Sequence, residues 1–446
     1  MSKPKQDWTP GSWQGHVAVQ QPDYPDGAAL EGVLAKVRSY PPLVYVGEVE
    51  NLKQKLAAAA DGNAFVLQGG NCAERFIDCR EETITNQLKI LLAMSVILTY
   101  GVRRSIVKVG RLAGQYAKPR SQTTETVRGR CMPVYRGDSV NSFEPTAAAR
   151  RLDPERLLLG YFHATATLNC IRGMIEGGFA DLHHPYNWNV HSIERTQKWP
   201  EYKTTVDRIV DAIQFMEAFG GARSEMLGRI EFYTSHEGLL LGYEEAMTRK
   251  DPTSGRFYNV GAHTLWIGNR TRALTGAHVE YCRGIANPIG VKIGPDADPA
   301  EVAELAGILN PSGESGRLTL ITRLGHDRVG ELLPKLIRAV GKSKRRITWS
   351  CDPMHGNTTV VGGRKTRAFA DILSELEQAF RLHRDAGTRL AGVHFELTGE
   401  DVTECLGGAV NLSANDLERK YDTYCDPQLN YSQSLEMAFL IAQRLR

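Results

Sequence analysis

Eight short apolar segments recur along the chain, and most are followed by Gly, His or Asp and then by a helix-like stretch. They span residues 64–68, 105–110, 230–234, 263–267, 288–293, 318–323, 346–351 and 392–397. Strand followed by helix, repeated, indicates a parallel sheet, because parallel neighbours are joined by a crossover connection. Eight such units predict an α/β fold, a closed (β/α)8 TIM barrel whose strands direct their carboxyl ends to one mouth.

The spacing of these segments departs from a minimal barrel in two places. Most gaps hold about 20–40 residues, enough for one helix and two loops, but the gap between the second and third segments is far longer. We expect extra helices there, at about 150–228, and residues 205–219 have the apolar periodicity of one. We therefore predict an N-terminal extension of arm and helices over 1–63, which makes oligomer contacts, and a catalytic barrel over 64–446.

The charge balance excludes some classes of partner. The chain has 54 Lys and Arg against 51 Asp and Glu, a net charge of +3, so we expect neither nucleic acid nor a membrane surface as a partner. It lacks a run of 18 apolar residues, and its start lacks the apolar stretch of a signal peptide. Eight scattered cysteines without an export signal favour reduced thiols and a cytoplasmic location.

Four residues of metal-binding type lie after or within the predicted strands. Cys72 follows AFVLQGG, His355 follows the seventh segment, Glu396 lies in GVHFELTG and Asp426 lies in YCDP. A thiolate, an imidazole and two carboxylates suit a borderline divalent metal. Each residue alone also has a simpler interpretation, as a core cysteine or a carboxylate paired with arginine. A barrel would bring three of them together, because they lie at carboxyl ends of strands.

Cations follow the same strand ends. Arg111, Lys118, Arg120 and Ser121 come after the second segment, Arg270 and Arg272 after the fourth, Lys292 within the fifth and Arg323 at the end of the sixth. A charge inside a barrel strand is costly unless it meets an anion or a partner. Lys292 is the sharpest case, with a structural salt bridge as the alternative. Arginine grips carboxylate and phosphate in a bidentate manner, so the pattern predicts an enzyme for phosphorylated anions.

Several segments resemble the motifs of a known family over nearly the whole chain. They are QGGNCAE (68–74), VGRLAGQYAKPRS (109–121), YRGDSVN (135–141), WIGNRTR (266–272), GVKIGP (290–295), CDPMHGNT (351–358), ELTGEDVTECLGG (396–408) and YCDPQLN (424–430). These look like the motifs of the type II 3-deoxy-D-arabino-heptulosonate 7-phosphate (DAHP) synthases. The resemblance implies a (β/α)8 barrel that condenses phosphoenolpyruvate with erythrose 4-phosphate, the first step towards chorismate and the aromatic amino acids.

The resemblance also implies a role for each matching residue. The metal ligands would be Cys72, His355, Glu396 and Asp426, holding Mn²⁺ or Co²⁺, with Zn²⁺ or Fe²⁺ as alternatives. Phosphoenolpyruvate would meet Arg111, Asn269, Arg270, Lys292 and Arg323. Erythrose 4-phosphate would meet Lys118, Arg120, Ser121 and Arg270. The catalytic set would be Lys118, Arg111, Lys292 and His355, with Lys118 as the acid for the new alkoxide.

Three positions depart from the family pattern. Asn71 and Asn269 stand where the family usually has an acidic residue, and Gln428 stands where Arg is usual. Asparagine cannot take a proton, so a general base is lost unless the family carboxylate only orients water. We interpret Gln428 as a surface change. Cys425 adjoins Asp426, and we expect it to form a disulfide with Cys72 in oxidised, metal-free protein.

Regulation and competing functions are the remaining expectations. In this family, additions such as 1–63 and 150–228 form subunit contacts and bind aromatic amino acids. We therefore expect a homodimer or homotetramer inhibited by Trp, Phe or Tyr, with plain structural elaboration as the alternative. Two rival functions stay open: a catalytically impaired regulatory or scaffold partner, for example of chorismate mutase, and another metal-dependent aldolase on the same barrel.

Overall fold

The computed structural model describes residues 8–127, 129–177, 231–343 and 345–444, with isolated positions (200, 203, 204, 207 and 211) in between. The predicted helix at 205–219 lies outside the described residues except for two positions. Within the described part, the predicted insertion at 150–228 begins with one long helix, Glu155–Glu176.

Eight strands close a parallel barrel. In chain order, the strands of the described residues are β1 Ala64–Gly70, β2 Ser105–Arg111, β3 Thr124–Val127, β4 Arg130–Pro133, β5 Tyr233–Glu237, β6 Thr248–Lys250, β7 Phe257–Asn259, β8 Thr264–Ile267, β9 Ile289–Ile293, β10 Leu318–Thr322, β11 Thr348–Cys351, β12 Thr358–Val361, β13 Arg364–Arg367 and β14 Gly392–Glu396. The barrel order is β1-β14-β11-β10-β9-β8-β5-β2, and the other six form antiparallel hairpins. The predicted fold class is confirmed, with each apolar segment overlapping one barrel strand.

The strand register brings the site residues to one level. Gly70 of β1 pairs with Glu396 of β14 on one side and with Arg111 of β2 on the other. Because every barrel strand runs in the same direction, these carboxyl ends meet at one mouth. The third strand begins three residues later than predicted, where Tyr233 pairs with Val109.

The helices pack outside the barrel and across one end of it. In chain order they are α1 Gly27–Ser39, α2 Val46–Asp61, α3 Glu81–Val102, α4 Glu155–Glu176, α5 Leu241–Ala246, α6 Ala277–Gly284, α7 Pro299–Leu309, α8 Val329–Gly341, α9 Phe369–Asp385 and α10 Tyr431–Arg444. Among the described helices, α3 alone is long and apolar enough to cross a membrane. Since 72% of its most apolar window is buried, α3 has the pattern of a core helix.

Helix α2, from the predicted N-terminal extension, closes the amino-terminal end of the barrel. Its Leu52 and Leu56 pack with Val66 of β1 and with Val107 and Val109 of β2. Full burial of such an aliphatic side chain contributes about 1.5–3 kcal/mol. The helix is therefore part of the barrel core, while the boundary at residue 63 and the oligomer contacts stay predictions.

Candidate active site

A polar pocket of about 310 Å³ lies at the carboxyl-terminal mouth of the barrel. The predicted site residues that line it are Arg111, Lys118, Arg120, Ser121, Asn269, Arg270, Lys292, Arg323, His355 and Asp426. They lie at the carboxyl ends of six different strands or in the segments that follow them, so the barrel brings together residues that are far apart in sequence. The pocket is rich in cations, as a site for phosphorylated anions requires.

The four predicted metal ligands converge at this pocket, which His355 and Asp426 line. The Cys72 thiol and one carboxylate oxygen each of Glu396 and Asp426 lie within 4.8 Å of one another. His355 Nε2 reaches the same Glu396 carboxylate, 3.0 Å from Oε1. The Cys72 Sγ atom lies 3.7 Å from Oδ2 of Asp426. A thiol, an imidazole and two carboxylates at this separation form a donor set that suits a borderline divalent ion.

A buried carboxylate orients the histidine of this set. Oδ2 of Asp352 lies 2.7 Å from Nδ1 of His355 and also contacts the Lys292 ammonium. Burial opposes the charged form, but His355 and Lys292 hold the pKa of Asp352 well below its usual range. A ligating histidine usually has such a partner, which fixes its ring orientation. Lys292 thus forms a salt bridge with Asp352, as the alternative interpretation held, and also lines the pocket, as the predicted role in anion binding requires.

Cations surround the buried carboxylate of Glu396, one of the four predicted ligands. Glu396 accepts hydrogen bonds from Arg111 Nη2 at 3.0 Å and Arg367 Nη1 at 2.9 Å, and Lys118 Nζ lies 3.7 Å away. Burial opposes ionisation, yet His355, Lys118 and the two arginines hold the pKa of Glu396 well below its usual range. Glu396 is therefore an anion at neutral pH.

Two of the cations predicted for phosphoenolpyruvate, Arg111 and Lys292, lie beside the indole ring of Trp266. The Arg111 guanidinium carbon and the Lys292 Nζ atom lie 5.0 Å and 5.9 Å from the centroid of Trp266. Arg323 donates to the His355 carbonyl at 3.2 Å, and its buried Nε has no partner among the described residues. Burial lowers the pKa of Lys292 to about 8 despite Asp352. A bound anion would accept a hydrogen bond from Arg323 Nε and would stabilise the charged form of Lys292.

The loop after β2 carries three of the four residues predicted for erythrose 4-phosphate, Lys118, Arg120 and Ser121. Buried Glu74 anchors its start by accepting the backbone N–H groups of Ala113, Gly114 and Gln115 at 2.7–2.9 Å. Further along, Lys118 Nζ donates to the Cys72 carbonyl at 3.1 Å. Burial opposes its charge, but Cys72, Glu396 and Asp426 raise the pKa of Lys118, so this ammonium is charged at neutral pH.

The positions that depart from the family pattern have three different surroundings. Asn269 lies at the rim, where Nδ2 donates to Asp296 at 2.9 Å and Oδ1 accepts from the Gly294 N–H at 2.8 Å. Asn71 lines a second pocket, which the segments after β1 and β14 form. The interpretation of Gln428 as a surface change is wrong. This residue is half-buried, and its Oε1 accepts the Cys72 N–H at 2.9 Å, which fixes the backbone of a predicted ligand.

Sequence reasoning missed three charged residues of this site: Glu237, Asp352 and Arg367. Glu237 ends β5 and lines the pocket, and its Oε1 is buried without a partner among the described residues. Burial raises its pKa, although four cations beginning with Lys118 and Arg111 act against this. Glu237 stands in the sequence SHEG at the end of β5. It was overlooked because the third strand was predicted three residues too early, so that Glu237 lay beyond the predicted strand end. Asp352 was visible in CDPMHG, whereas Arg367 comes from a hairpin without a periodic signal.

Comparison with known proteins identifies relatives along the whole chain. The model of the Class-II DAHP synthetase family matches residues 8–442. Phospho-2-dehydro-3-deoxyheptonate aldolase from Neurospora crassa is 47% identical, covering 98% of this chain and 94% of the relative. The enzyme of that name from Streptomyces coelicolor is also 47% identical, over 98% of this chain and 97% of the relative.

One solved structure is similar at a lower level. It is phospho-2-dehydro-3-deoxyheptonate aldolase from Francisella tularensis, at 13% identity and a TM-score of 0.48, covering 94% of this chain and 96% of that one.

Proposed function

The chain belongs to the Class-II DAHP synthetase family, and from that premise we propose that the pocket at the barrel mouth is its active site. The protein is a DAHP synthase. It joins phosphoenolpyruvate, erythrose 4-phosphate and water into DAHP and phosphate, in the first step of the shikimate pathway to chorismate and the aromatic amino acids. The convergence of Cys72, Glu396 and Asp426 beside the cations carries the assignment of the site.

The family is metal-dependent, and the donor set fits a divalent ion. Cys72, His355, Glu396 and Asp426 would hold it, with Mn²⁺ or Co²⁺ preferred over Zn²⁺ or Fe²⁺. When bound, the ion supplies Lewis-acid polarisation of the aldehyde carbonyl. Asp352 supports this assignment, because it orients His355 as the second partner of a ligating imidazole does.

The cations of the pocket divide between the two substrates. Together these substrates bring about five negative charges at neutral pH. Arg111, Arg270, Lys292 and Arg323, with Asn269 at the rim, bind the carboxylate and phosphate of phosphoenolpyruvate. Lys118, Arg120 and Ser121, with Arg270 between the two groups, bind erythrose 4-phosphate. Arg323 supports the first group, since its buried Nε lacks a partner in the described protein.

Lys118 and Glu237 each exchange one proton with the reacting molecules. C3 of phosphoenolpyruvate attacks the aldehyde carbon, and the resulting alkoxide takes a proton from Lys118, which its anionic neighbours keep charged. Water then adds at C2 and gives a proton to Glu237, which lines the pocket and whose buried Oε1 has no hydrogen-bond partner among the described residues. The C2–O bond of the resulting phosphohemiketal then breaks, the C2 hydroxyl proton passes to the departing phosphate, and the ketone of DAHP forms. Arg111 and Lys292 hold the reacting enol, and His355 stays fixed by Asp352.

The assembly and its regulation are proposals as well. We propose a cytoplasmic homodimer or homotetramer whose added segments bind Trp, Phe or Tyr as inhibitors, with chorismate mutase as a candidate partner. Helix α4 supports an oligomer contact, because Leu159 and Phe162 on it are 43% and 47% exposed. The scaffold alternative is not favoured, since the pocket keeps its complete ligand and cation sets.

A direct assay tests the proposed function. Manganese-loaded protein is mixed with phosphoenolpyruvate and erythrose 4-phosphate, and loss of the enol absorbance is followed together with phosphate release. We expect both signals in a one-to-one ratio, and neither when erythrose 4-phosphate is omitted. Metal-loaded, folded protein that consumes no phosphoenolpyruvate would instead support the scaffold alternative.

Removing a phosphoenolpyruvate cation should weaken the binding of that substrate. We expect Arg323→Ala to raise the phosphoenolpyruvate KM by about 10- to 100-fold, since a hydrogen bond to a charged group contributes about 1.5–3 kcal/mol. Lys292→Ala should do the same and also disturb His355 through Asp352. The matched control is Arg328→Ala, at an exposed arginine in the same loop. Steady-state kinetics decide, and an unchanged KM in Arg323→Ala removes this residue from the site.

The predicted Cys72–Cys425 disulfide has structural support. Both thiols are free, and a hydrogen bond from Cys72 lowers the pKa of Cys425, with Lys118 and Arg120 acting in the same direction. We expect diamide, as the two-electron oxidant, to link the two thiols in EDTA-treated protein and to abolish activity until dithiothreitol is added. Manganese-loaded protein and Cys425→Ser are the controls. Peptide mapping that finds both thiols free after oxidation contradicts the prediction.

A further inference from the structure

The N-terminal arm, residues 8–24, is fixed along one side of the barrel. Trp8 Nε1 donates to the Glu280 carbonyl at 2.9 Å, and Trp13 Nε1 donates to Glu245 Oε2 at 2.8 Å. Further along, the Val17 carbonyl accepts the Ala277 N–H at 3.1 Å. These contacts hold the arm against helices α5 and α6. Its course is therefore determined by the barrel.

Beyond these contacts, the arm reaches the mouth at two consecutive glutamines. The Gln21 side chain accepts the Leu241 N–H at 3.0 Å and donates to the Leu239 carbonyl at 2.7 Å. Gln20, just before it, has a φ of +65°. A residue with a side chain seldom adopts this left-handed conformation, and it persists where the surroundings hold it. The anchored Gln21 thus directs the Gln20 side chain towards the site.

Gln20 contacts the loop proposed to bind erythrose 4-phosphate. Its Oε1 accepts the backbone N–H of Arg120 at 2.8 Å, and its carbonyl accepts from Arg136 Nη1 at 3.3 Å. The Arg136 carbonyl in turn accepts the Lys118 N–H at 2.8 Å. One residue of the arm therefore connects to both ends of the Lys118–Arg120 segment.

The two arginines that Gln20 contacts, Arg120 and Arg136, lie close enough for their positive charges to repel each other. Burial, and then the Arg120 cation, lower the pKa of Arg136. On its other side, Arg120 Nη2 lies 3.7 Å from Glu125 Oε2. Both arginines therefore depend on fixed neighbours to keep their orientation. A dianionic phosphate is bound strongly only when its cations are already oriented, because ordering flexible side chains opposes binding.

We propose that Gln20 is a positioning residue for the phosphate of erythrose 4-phosphate, acting through the backbone of Arg120. This inference rests on the proposed function, which assigns Lys118, Arg120 and Ser121 to that phosphate. It adds a positioning role at the active site to the N-terminal arm, whose segment was predicted to make oligomer contacts and to bind aromatic amino acids. Gln20 acts through the loop, because its Oε1 is held by the Arg120 N–H.

Two substitutions separate this positioning from mere stability. Gln20→Gly and Gln20→Met both remove the acceptor for the Arg120 N–H. We expect each to raise the KM for erythrose 4-phosphate by about 3- to 10-fold, the value of one neutral hydrogen bond, with the phosphoenolpyruvate KM unchanged. Their melting temperatures should differ, because glycine accommodates a φ of +65° and methionine does not. An increase in KM that both variants share is caused by the lost hydrogen-bond acceptor and not by a change in stability.

The controls separate failure of this inference from failure of the proposed function. Gln14→Ala changes an exposed glutamine on the same arm that contacts Glu245 and should leave both KM values unchanged. Arg120→Ala tests the phosphate subsite itself. If Arg120→Ala raises the erythrose 4-phosphate KM while neither Gln20 variant does, the inference is overturned and the subsite stands. If Arg120→Ala has no effect either, the assignment of the subsite fails, and the inference fails with it.

Discussion

Replacing Cys72 by Ser is expected to lower kcat by about 10³-fold, because Lewis-acid polarisation of a carbonyl contributes several kcal/mol. A serine alcohol stays protonated and is a poor ligand for a divalent ion, whereas a thiolate is a strong one. The substitution removes one donor of a cluster whose ligand atoms lie within 4.8 Å of one another. We therefore also expect Mn²⁺ to bind at least tenfold more weakly.

Isothermal titration with Mn²⁺ and steady-state kinetics measure the two effects. Cys282→Ser is the matched control, since Cys282 is equally buried but belongs to helix α6. A general loss of stability would affect both variants, whereas loss of the ion affects Cys72→Ser alone. Wild-type Mn²⁺ affinity in folded Cys72→Ser would exclude this thiol from the metal site.

The second large effect is expected at Glu237. A positioned general base contributes about 10²–10⁴ in rate, so Glu237→Gln should lower kcat by that factor. Glutamine keeps the size of the side chain and its hydrogen bonding but cannot take a proton from water. The phosphoenolpyruvate KM should stay within about threefold, because the cations that bind this substrate are unchanged.

The pH profile adds an independent test of this role. Burial raises the pKa of Glu237, and a base acts only when deprotonated. Activity of the wild-type protein should therefore rise with pH through a pKa above the ordinary carboxyl range. That rise should disappear in Glu237→Gln. If Glu237→Gln leaves kcat and the pH profile unchanged, Glu237 lines the pocket but does not act as the general base.

Asn269→Glu is the companion of this experiment, because it restores the acidic residue usual in the family. We expect turnover to stay flat or fall. Asn269 now donates to Asp296 at 2.9 Å, and a carboxylate at 269 would lose that bond and repel Asp296. Kinetics of both variants decide between the two carboxylates. A clear gain in turnover from Asn269→Glu would mean that a proton-taking group had been lost at 269.

Much of the fold was predictable because each barrel strand is specified by the residues of its own short segment. All eight barrel strands are recognisable as short apolar segments bounded by polar or glycine residues. Once they close a parallel barrel, geometry alone brings their carboxyl ends together. That is why Cys72, His355 and Glu396 were predicted beside one another, as they are found. The third strand was displaced because its apolar run begins before its pairing with β2 does.

The loops around the site were not predictable in the same way. Asp426 lies on no strand, and buried Glu404 holds its loop by accepting the N–H groups of Thr423 and Gln428, both at 2.8 Å. Gln428 in turn binds the Cys72 backbone across 356 residues of sequence. Such contacts have no periodicity, because an irregular segment is fixed by what it packs against. Their partners become known only when the chain is folded.

The sequence by itself indicated the barrel, three of the four predicted metal ligands (Cys72, His355 and Glu396) and most of the cations, since each lies at or near the end of a strand that its own residues specify. Only the tertiary structure decided that Glu237 lines the pocket with one oxygen unpartnered within the described residues, that Arg367 reaches Glu396 from a hairpin and that Gln20 touches Arg120 across 100 residues. The reason is physical. Strand formation depends on neighbours in sequence, whereas the orientation of a loop side chain depends on neighbours in space.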